Sequence, residues 1–131
     1  MTRNVTTLEP ESKLLDAVLL VRSSGYRHIP VVKDGRLVGI LSDRDIQRAS
    51  PSMYGDISPD EYNRIFETTH VGRVMAPEPI TVTPKSTVPE AVQIMHENKF
   101  GALPVVEGDN QLVGIVTTTD LLSLLRTLIE K

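Results

Sequence analysis

Gly39-Ile40-Leu41-Ser42-Asp43-Arg44-Asp45-Ile46 returns later in the chain as Gly114-Ile115-Val116-Thr117-Thr118-Thr119-Asp120-Leu121. Each copy reads as a buried strand running into the start of a helix. A hydroxyl residue stands at that start, and an aspartate follows three positions on. The spacing satisfies a capping box: the hydroxyl accepts from the backbone N–H three residues ahead, and the carboxylate reaches back to the hydroxyl residue's own N–H.

The repetition extends in both directions. Pro10, Ser12, Ala17, Pro30, Val31 and Val32 recur as Pro84, Ser86, Ala91, Pro104, Val105 and Val106, each 74 residues on. Leu37, Val38, Gly39, Ile40 and Asp45 recur as Leu112, Val113, Gly114, Ile115 and Asp120, each 75 residues on. The additional residue falls between Lys33-Asp34-Gly35-Arg36 and its longer counterpart Glu107-Gly108-Asp109-Asn110-Gln111, where a hairpin loop accepts it. Met1 pairs with Met75 at the first spacing. An ordered series of this kind marks an internal repeat.

Each copy predicts the order β-α-β-β-α. An extended segment comes first, Val5 to Leu8 and Ile80 to Thr83. A helix follows, about Lys13 to Ser24 and Val88 to Asn98, with Thr87-Val88-Pro89-Glu90 as a capping box and Gly25 as a stop. Leu14, Ala17, Val18 and Val21 form one apolar stripe, and Val88, Ala91, Val92 and Met95 form its partner. His28 to Val32 then pairs with Leu37 to Leu41, and Ala102 to Val106 with Leu112 to Val116. These runs are continuously apolar, so both sheet faces are expected to be buried. Arg44 to Ala49 and Thr119 to Ile129 close the units. Repeat one takes residues 1–50, a linker 51–70, and repeat two 71–131. The linker holds the turn formers Ser50-Pro51, Gly55-Asp56 and Ser58-Pro59. A short helix is predicted from Ser58-Pro59-Asp60-Glu61, with Tyr62, Ile65 and Phe66 at helical spacing.

Composition narrows the function. The 131 residues carry net charge −3 with both signs mixed, which argues against a nucleic-acid surface. There is no cysteine, which excludes disulfides, thiolate metal sites and cysteine nucleophiles. No apolar run approaches the ~20 residues of a membrane span, and the N-terminus lacks the apolar core of a signal peptide. The expected location is the cytoplasm. Aromatics are few (Tyr26, Tyr54, Tyr62, Phe66 and Phe100), so the core is aliphatic. His28, His70 and His96 show no metal spacing. No residue set reads as nucleophile, base and orienter, and there is no Walker loop or Gly-x-Gly-x-x-Gly, so no enzymatic activity, catalytic residue or catalytic cofactor is expected.

His28-Ile29-Pro30-Val31-Val32 with Gly39-Ile40-Leu41-Ser42 to Asp45, and Ala102-Leu103-Pro104-Val105-Val106 with Gly114-Ile115-Val116-Thr117 to Asp120, resemble a CBS-domain pair, the Bateman module. Val74-Met75-Ala76-Pro77 is similar to the family's leading strand. Ser42-Asp43-Arg44-Asp45, then Ala49-Ser50-Pro51-Ser52, the linker helix and Val71 to Met75 resemble the acetoin-utilisation regulatory subfamily. The resemblance implies an α/β (α+β) fold, tandem β-α-β-β-α repeats packed with pseudo-twofold symmetry. It also implies two clefts for an adenosine derivative: AMP, ADP, ATP or S-adenosylmethionine. In the crossed plan it implies, Thr2 to Thr6 and Tyr26, Arg27 and His28 serve one cleft with Thr117, Thr119 and Asp120. Ala76 to Ile80 and Phe100, Gly101 and Ala102 serve the other with Ser42, Arg44 and Asp45.

The chemistry fits those roles. A carboxylate accepts both hydroxyl hydrogens of a ribose. A helix start offers free N–H groups and a positive dipole end to a phosphate, and Arg27, His28 or Arg44 adds charge. Ile29, Pro30, Leu103 and Pro104 offer apolar walls to a base. Taken singly, Ser42-x-x-Asp45 and Thr117-x-x-Asp120 are ordinary caps, and Arg27 and Arg44 ordinary surface charges. Their duplication beside matching hairpins favours binding. Two functions remain open: a sensor that transmits its ligand state to a regulated protein, or a dimerisation module with empty clefts. Both predict a homodimer, since Leu121, Leu122, Leu124, Leu125, Leu128 and Ile129 are more apolar residues than one small core buries.

Overall fold

The structure, a computed structural model, describes residues 2–51 and 57–130. The sequence readings at Met1, Ser52, Tyr54 and Gly55-Asp56 lie outside the described residues. The elements in chain order are α1 (Leu14–Ser24), β1 (His28–Lys33), β2 (Arg36–Ser42), α2 (Asp43–Ala49) and α3 (Pro59–Thr68). After a 3-10 turn (Val71–Arg73) come β3 (Ala76–Pro77), α4 (Val88–Asn98), β4 (Ala102–Glu107), β5 (Gln111–Thr117) and α5 (Thr118–Ile129). The fold is mixed α+β, with both predicted hairpins and all five predicted helices in place.

Two compact units emerge, and neither is a single repeat. One comprises Met1–Val5, Gly35–Leu37 and Pro79–Lys131; the other comprises Thr6–Asp34 and Val38–Glu78. In the first, Val82, Ala91, Met95, Leu103 and Val105 form the core, with Ile94, Val113, Val116 and Leu121 packed against it. In the second the core is Leu8, Ala17, Ile29, Val31, Leu41 and Val71. β4 is buried along five successive residues, as expected for a strand covered on both faces. β2 instead alternates, with Leu37, Gly39 and Leu41 buried and their neighbours partly open.

The two leading extended segments form single parallel bridges rather than strands, Leu8 to Val31 and Val82 to Val105. Leu8 donates to the Pro30 carbonyl and accepts from Val32, and Val82 does the same with Pro104 and Val106. The next donor due in each parallel ladder is residue 10 or 84. Both are proline and have no N–H to give, so pairing ends after one residue.

The hairpin turns use left-handed backbone. Asp34 (φ 52°) and Gly35 (φ 78°) make the two-residue turn between β1 and β2. In the longer turn, Gly108 and Asn110 take positive φ. Asn110 also clasps Leu37 twice: its Nδ2 donates to the Leu37 carbonyl at 2.6 Å, and its carbonyl accepts from Leu37 N–H at 3.0 Å.

Repeat-related positions are not equally covered. α3 lies against α1, where Leu15, Val18 and Arg22 face Tyr62, Asn63, Phe66 and Glu67 across a groove. Behind it, Leu14 N–H donates to Thr69 O, Val71 N–H to Ser12 O and Gly72 N–H to Pro10 O. Leu14 is thereby 0% exposed, whereas its counterpart Val88 is 49% exposed. The predicted stripe on α4 is accordingly only half buried: Ala91 and Met95 face the core, and Val88 and Val92 do not. Leu14→Ala should cost about 2–5 kcal/mol. Val88→Ala should cost under about 1 kcal/mol. Urea denaturation of the two variants checks the contrast.

α1 and α4 also end differently. Gly25 closes α1 in the left-handed region (φ 71°), and Lys99 holds the same place after α4 at φ 56°. A Cβ in that conformation carries a steric penalty that glycine lacks. Lys99→Gly should therefore raise stability by up to about 1 kcal/mol, read as an upward shift of the urea midpoint.

Candidate functional site

Each unit joins the leading residues of one repeat to the hydroxyl–aspartate end of the other. In the first unit, Thr2 pairs antiparallel with Ile115: Thr2 N–H donates to Ile115 O and Ile115 N–H to Thr2 O, both at 3.0 Å. In the second, Ala76 pairs with Ile40 and Pro77 with Gly39. Glu78 N–H continues the contact by donating to Val38 O at 3.3 Å. Strand side chains alternate, so Ile115 and Thr117 share a face, as do Ile40 and Ser42. The leading segment therefore reaches β2 and β5 two residues before the helix start.

Gly39 permits this approach. A methyl group at Gly39 would collide with Sδ and Cγ of Met75 and with the Ala76 carbonyl oxygen. Gly39 and Met75 are site-shaping residues that a motif reading passes over. Only the recurrence of Gly39 as Gly114 marks the position in sequence.

Both capping boxes form. Asp45 Oδ2 accepts from Ser42 N and from Ser42 Oγ, each at 2.9 Å, and Asp45 N–H donates back to Ser42 Oγ at 3.2 Å. Asp120 Oδ2 accepts from Thr117 N at 2.9 Å, and Asp120 N–H donates to Thr117 Oγ1 at 3.2 Å. Capping thus occupies one carboxylate oxygen of each aspartate. Oδ1 of Asp120 accepts no hydrogen bond among the described residues, and Oδ1 of Asp45 lies 4.0 Å from Arg48.

The remaining candidates divide between the units. Tyr26, Arg27 and His28 accompany Ser42, Arg44, Asp45 and Ala76 in the second unit. There Asp43 N–H donates to the Arg27 carbonyl at 3.0 Å, and Thr6 Oγ1 donates to the Tyr26 hydroxyl at 3.3 Å. Phe100, Gly101, Ala102 and Ile80 accompany Thr2, Thr117, Thr119 and Asp120 in the first. There Thr118 donates through both N–H and Oγ1 to the Gly101 carbonyl, and Ala102 pairs with Thr117. Ile80 and Phe100 stand exposed, and Ala102 is buried. Among the described residues no group of three or more His, Asp or Glu is placed to hold a metal, and no helix is long and apolar enough to cross a membrane.

The CBS domain family profile matches residues 1–52 and 71–127. The chain belongs to the CBS domain family. A Vibrio cholerae protein described as the acetoin utilization protein AcuB is 33% identical, with a TM-score of 0.82 over 99% of this chain and 89% of that one. CBSX2 of Arabidopsis thaliana, solved in complex with AMP, is 27% identical, with a TM-score of 0.81 over 98% and 93%. A CBS domain-containing protein of Dictyostelium discoideum is 30% identical over 99% of this chain and 90% of its own length. Other relatives are longer, and the chain spans 43% and 22% of two of them.

His28 titrates below the ordinary imidazole value. Burial disfavours its charged form, and Asp43 and Asp45 only partly offset that cost. The folded state thus keeps His28 neutral where the unfolded chain is already taking up its proton. Unfolding binds more protons, and stability falls as pH drops through about 6.5 toward the lower folded value. The urea midpoint should decline as pH falls from neutral through about 6.5 and below, and His28→Gln should flatten that decline.

Proposed function

We propose that this chain is a non-catalytic regulatory module that binds adenosine nucleotides where the leading segment of one repeat meets the hydroxyl–aspartate end of the other. The observation that carries this reading is the crossed pairing, Thr2 on Ile115 and Ala76 on Ile40. It sets an extended backbone, able to read the edge of a flat base, beside a carboxylate with one oxygen uncommitted to capping. In each site that oxygen takes the ribose hydroxyls. The Thr117 and Thr119 hydroxyls face the phosphate, together with the Thr119 N–H, the one N–H of the first turn of α5 that neither the capping box nor the Gly101 carbonyl takes. The AMP complex of CBSX2 supports the same ligand class here.

A ligand touching both segments would bias how the leading segment seats against its strand. The signal passed to a regulated protein is limited by the ligand's differential affinity for the two seatings. This favours a sensor over an empty-cleft module, because the aspartates retain acceptor capacity that capping does not use.

Thermal melts with AMP, ADP, ATP and S-adenosylmethionine test the reading. A ligand bound only by the folded state adds about 2.7 kcal/mol at one hundred times its Kd, seen as a concentration-dependent rise in Tm. Asp120→Asn and Asp45→Asn keep an oxygen for the capping box but lose the anionic acceptor. Each should remove one calorimetric binding equivalent while leaving the unliganded stability within about 1 kcal/mol of the parent. No ligand-dependent rise at millimolar concentration, or full binding by both variants, overturns it.

A further inference from the structure

The two hydroxyl–aspartate ends follow one pattern in sequence but leave different groups free. In the second unit the Ser42 hydroxyl donates to Asp45 Oδ2 at 2.9 Å, and Ser42 N–H donates to the same oxygen at 2.9 Å. That oxygen is filled, since each oxygen of a carboxylate offers about two acceptor positions. Oδ1 of Asp45 lies 4.0 Å from the Arg48 guanidinium, one helical turn on. Aspartate and arginine at this spacing attract each other along a helix surface. The Ser42–Asp45 end is therefore satisfied by its own chain: the hydroxyl hydrogen is spent, and the remaining oxygen faces a cation.

The first unit differs at each of these points. Asp120 Oδ2 accepts from Thr117 N–H alone, at 2.9 Å. The Thr117 hydroxyl accepts from Asp120 N–H at 3.2 Å and donates to no group among the described residues. About three of the four acceptor positions of Asp120 stay open, and the Thr117 O–H is a free donor. Ser123 stands where the first repeat has Arg48, and α5 carries no cation before Arg126.

A ribose diol brings two hydrogens and needs acceptor positions that are not already filled. At Asp120 they are at hand without rearrangement. At Asp45 the diol must displace Arg48 or share Oδ1 with it, and Ser42 has no hydrogen left to give the ligand. Arg27 and Arg44 bring charge toward a phosphate in the second unit but no acceptor for a diol, because a guanidinium only donates. A hydrogen bond to a charged group is worth about tenfold in affinity or more.

We propose that the two nucleotide sites are unequal. Resting on the nucleotide-binding role proposed above, this makes the Thr117–Asp120 end the tight site and the Ser42–Asp45 end the weak one. Arg48 and the Ser42 hydroxyl set the difference. One chain thereby responds over two ranges of nucleotide concentration.

Titration calorimetry of the full chain with AMP tests the inequality. The parent should show two dissociation constants at least about tenfold apart. Asp120→Asn should remove the tight one and Asp45→Asn the weak one. Arg48 and Ser123 are both exposed, so exchanging them leaves the core untouched. Arg48→Ser should tighten the weak site by up to about fivefold, the range of an exposed ion pair. Ser123→Arg should weaken the tight site by up to about the same factor. Ser42→Thr combined with Arg48→Ser gives the first repeat the pair found in the second, and should draw the two constants together. Equal constants in the parent, loss of the tight constant in Asp45→Asn, or an unchanged weak constant in Arg48→Ser overturns the inequality and leaves the nucleotide-binding role standing. No binding of AMP by the parent overturns both.

Discussion

The two hydrogen bonds between Thr2 and Ile115, and the matching pairing of Ala76 with Ile40, are the constraint on which each unit's site depends. They take a segment that begins one repeat and fix it beside the strand that feeds the helix start of the other. The strand places Ile115 and Thr117 on one face, so anchoring the backbone at Ile115 also fixes its distance from the hydroxyl and the aspartate. The same holds for Ile40 and Ser42. Gly39 is small for this reason: a side chain there would lift Met75 and Ala76 off β2 and open the arrangement.

The capping box then holds each aspartate in place. An unrestrained aspartate would have to lose rotamer freedom on binding ribose. Here Ser42 N–H and Thr117 N–H already hold Asp45 and Asp120 through Oδ2. In the proposed role, recognition would use a different oxygen of the carboxylate from the one that caps, so an ordinary helix cap and a binding residue are compatible.

Much of the fold was legible because the repeat doubles every local signal. Helix starts at Thr87 and Ser58, the Asp34-Gly35 turn and the Gly25 stop each follow from short-range chemistry that sequence carries directly. The unequal cover of Leu14 and Val88 was not legible, since both sit in like stripes and only the tertiary position of α3 separates them. Lys99 in the left-handed region was hidden for a related reason: nothing in its neighbours forbids a normal helix end. The crossing of the leading segments came from a family likeness. Val5–Leu8 and Ile80–Thr83 carry no pairing code of their own, and two prolines shorten their ladders to single bridges. The capping hydroxyls and carboxylates of the candidate site follow from a motif, but the packing of Met75 against Gly39 does not, because close backbone approach leaves only a glycine as its trace.

The repeats agree up to Asp45 and Asp120 and then part. Pro51 follows α2, and the residue before a proline is driven from helical to extended backbone. Ser50 accordingly sits at ψ 135° and ends α2 after seven residues. The counterpart of Pro51 is Arg126, which imposes no such limit, and α5 runs twelve residues. Pro51 thus accounts for the shorter helix, while the leucine stripe of α5 comes from separate substitutions, with Leu122, Leu124 and Leu125 standing where the first repeat has Gln47, Ala49 and Ser50. Under the proposed function, the recurring strand, hydroxyl and aspartate serve one chemistry twice. The helices diverge because one leads to a linker that folds back on its own chain, and the other presents its apolar side outward. The shared elements carry the proposed recognition, and the divergent helices carry the unequal apolar cover.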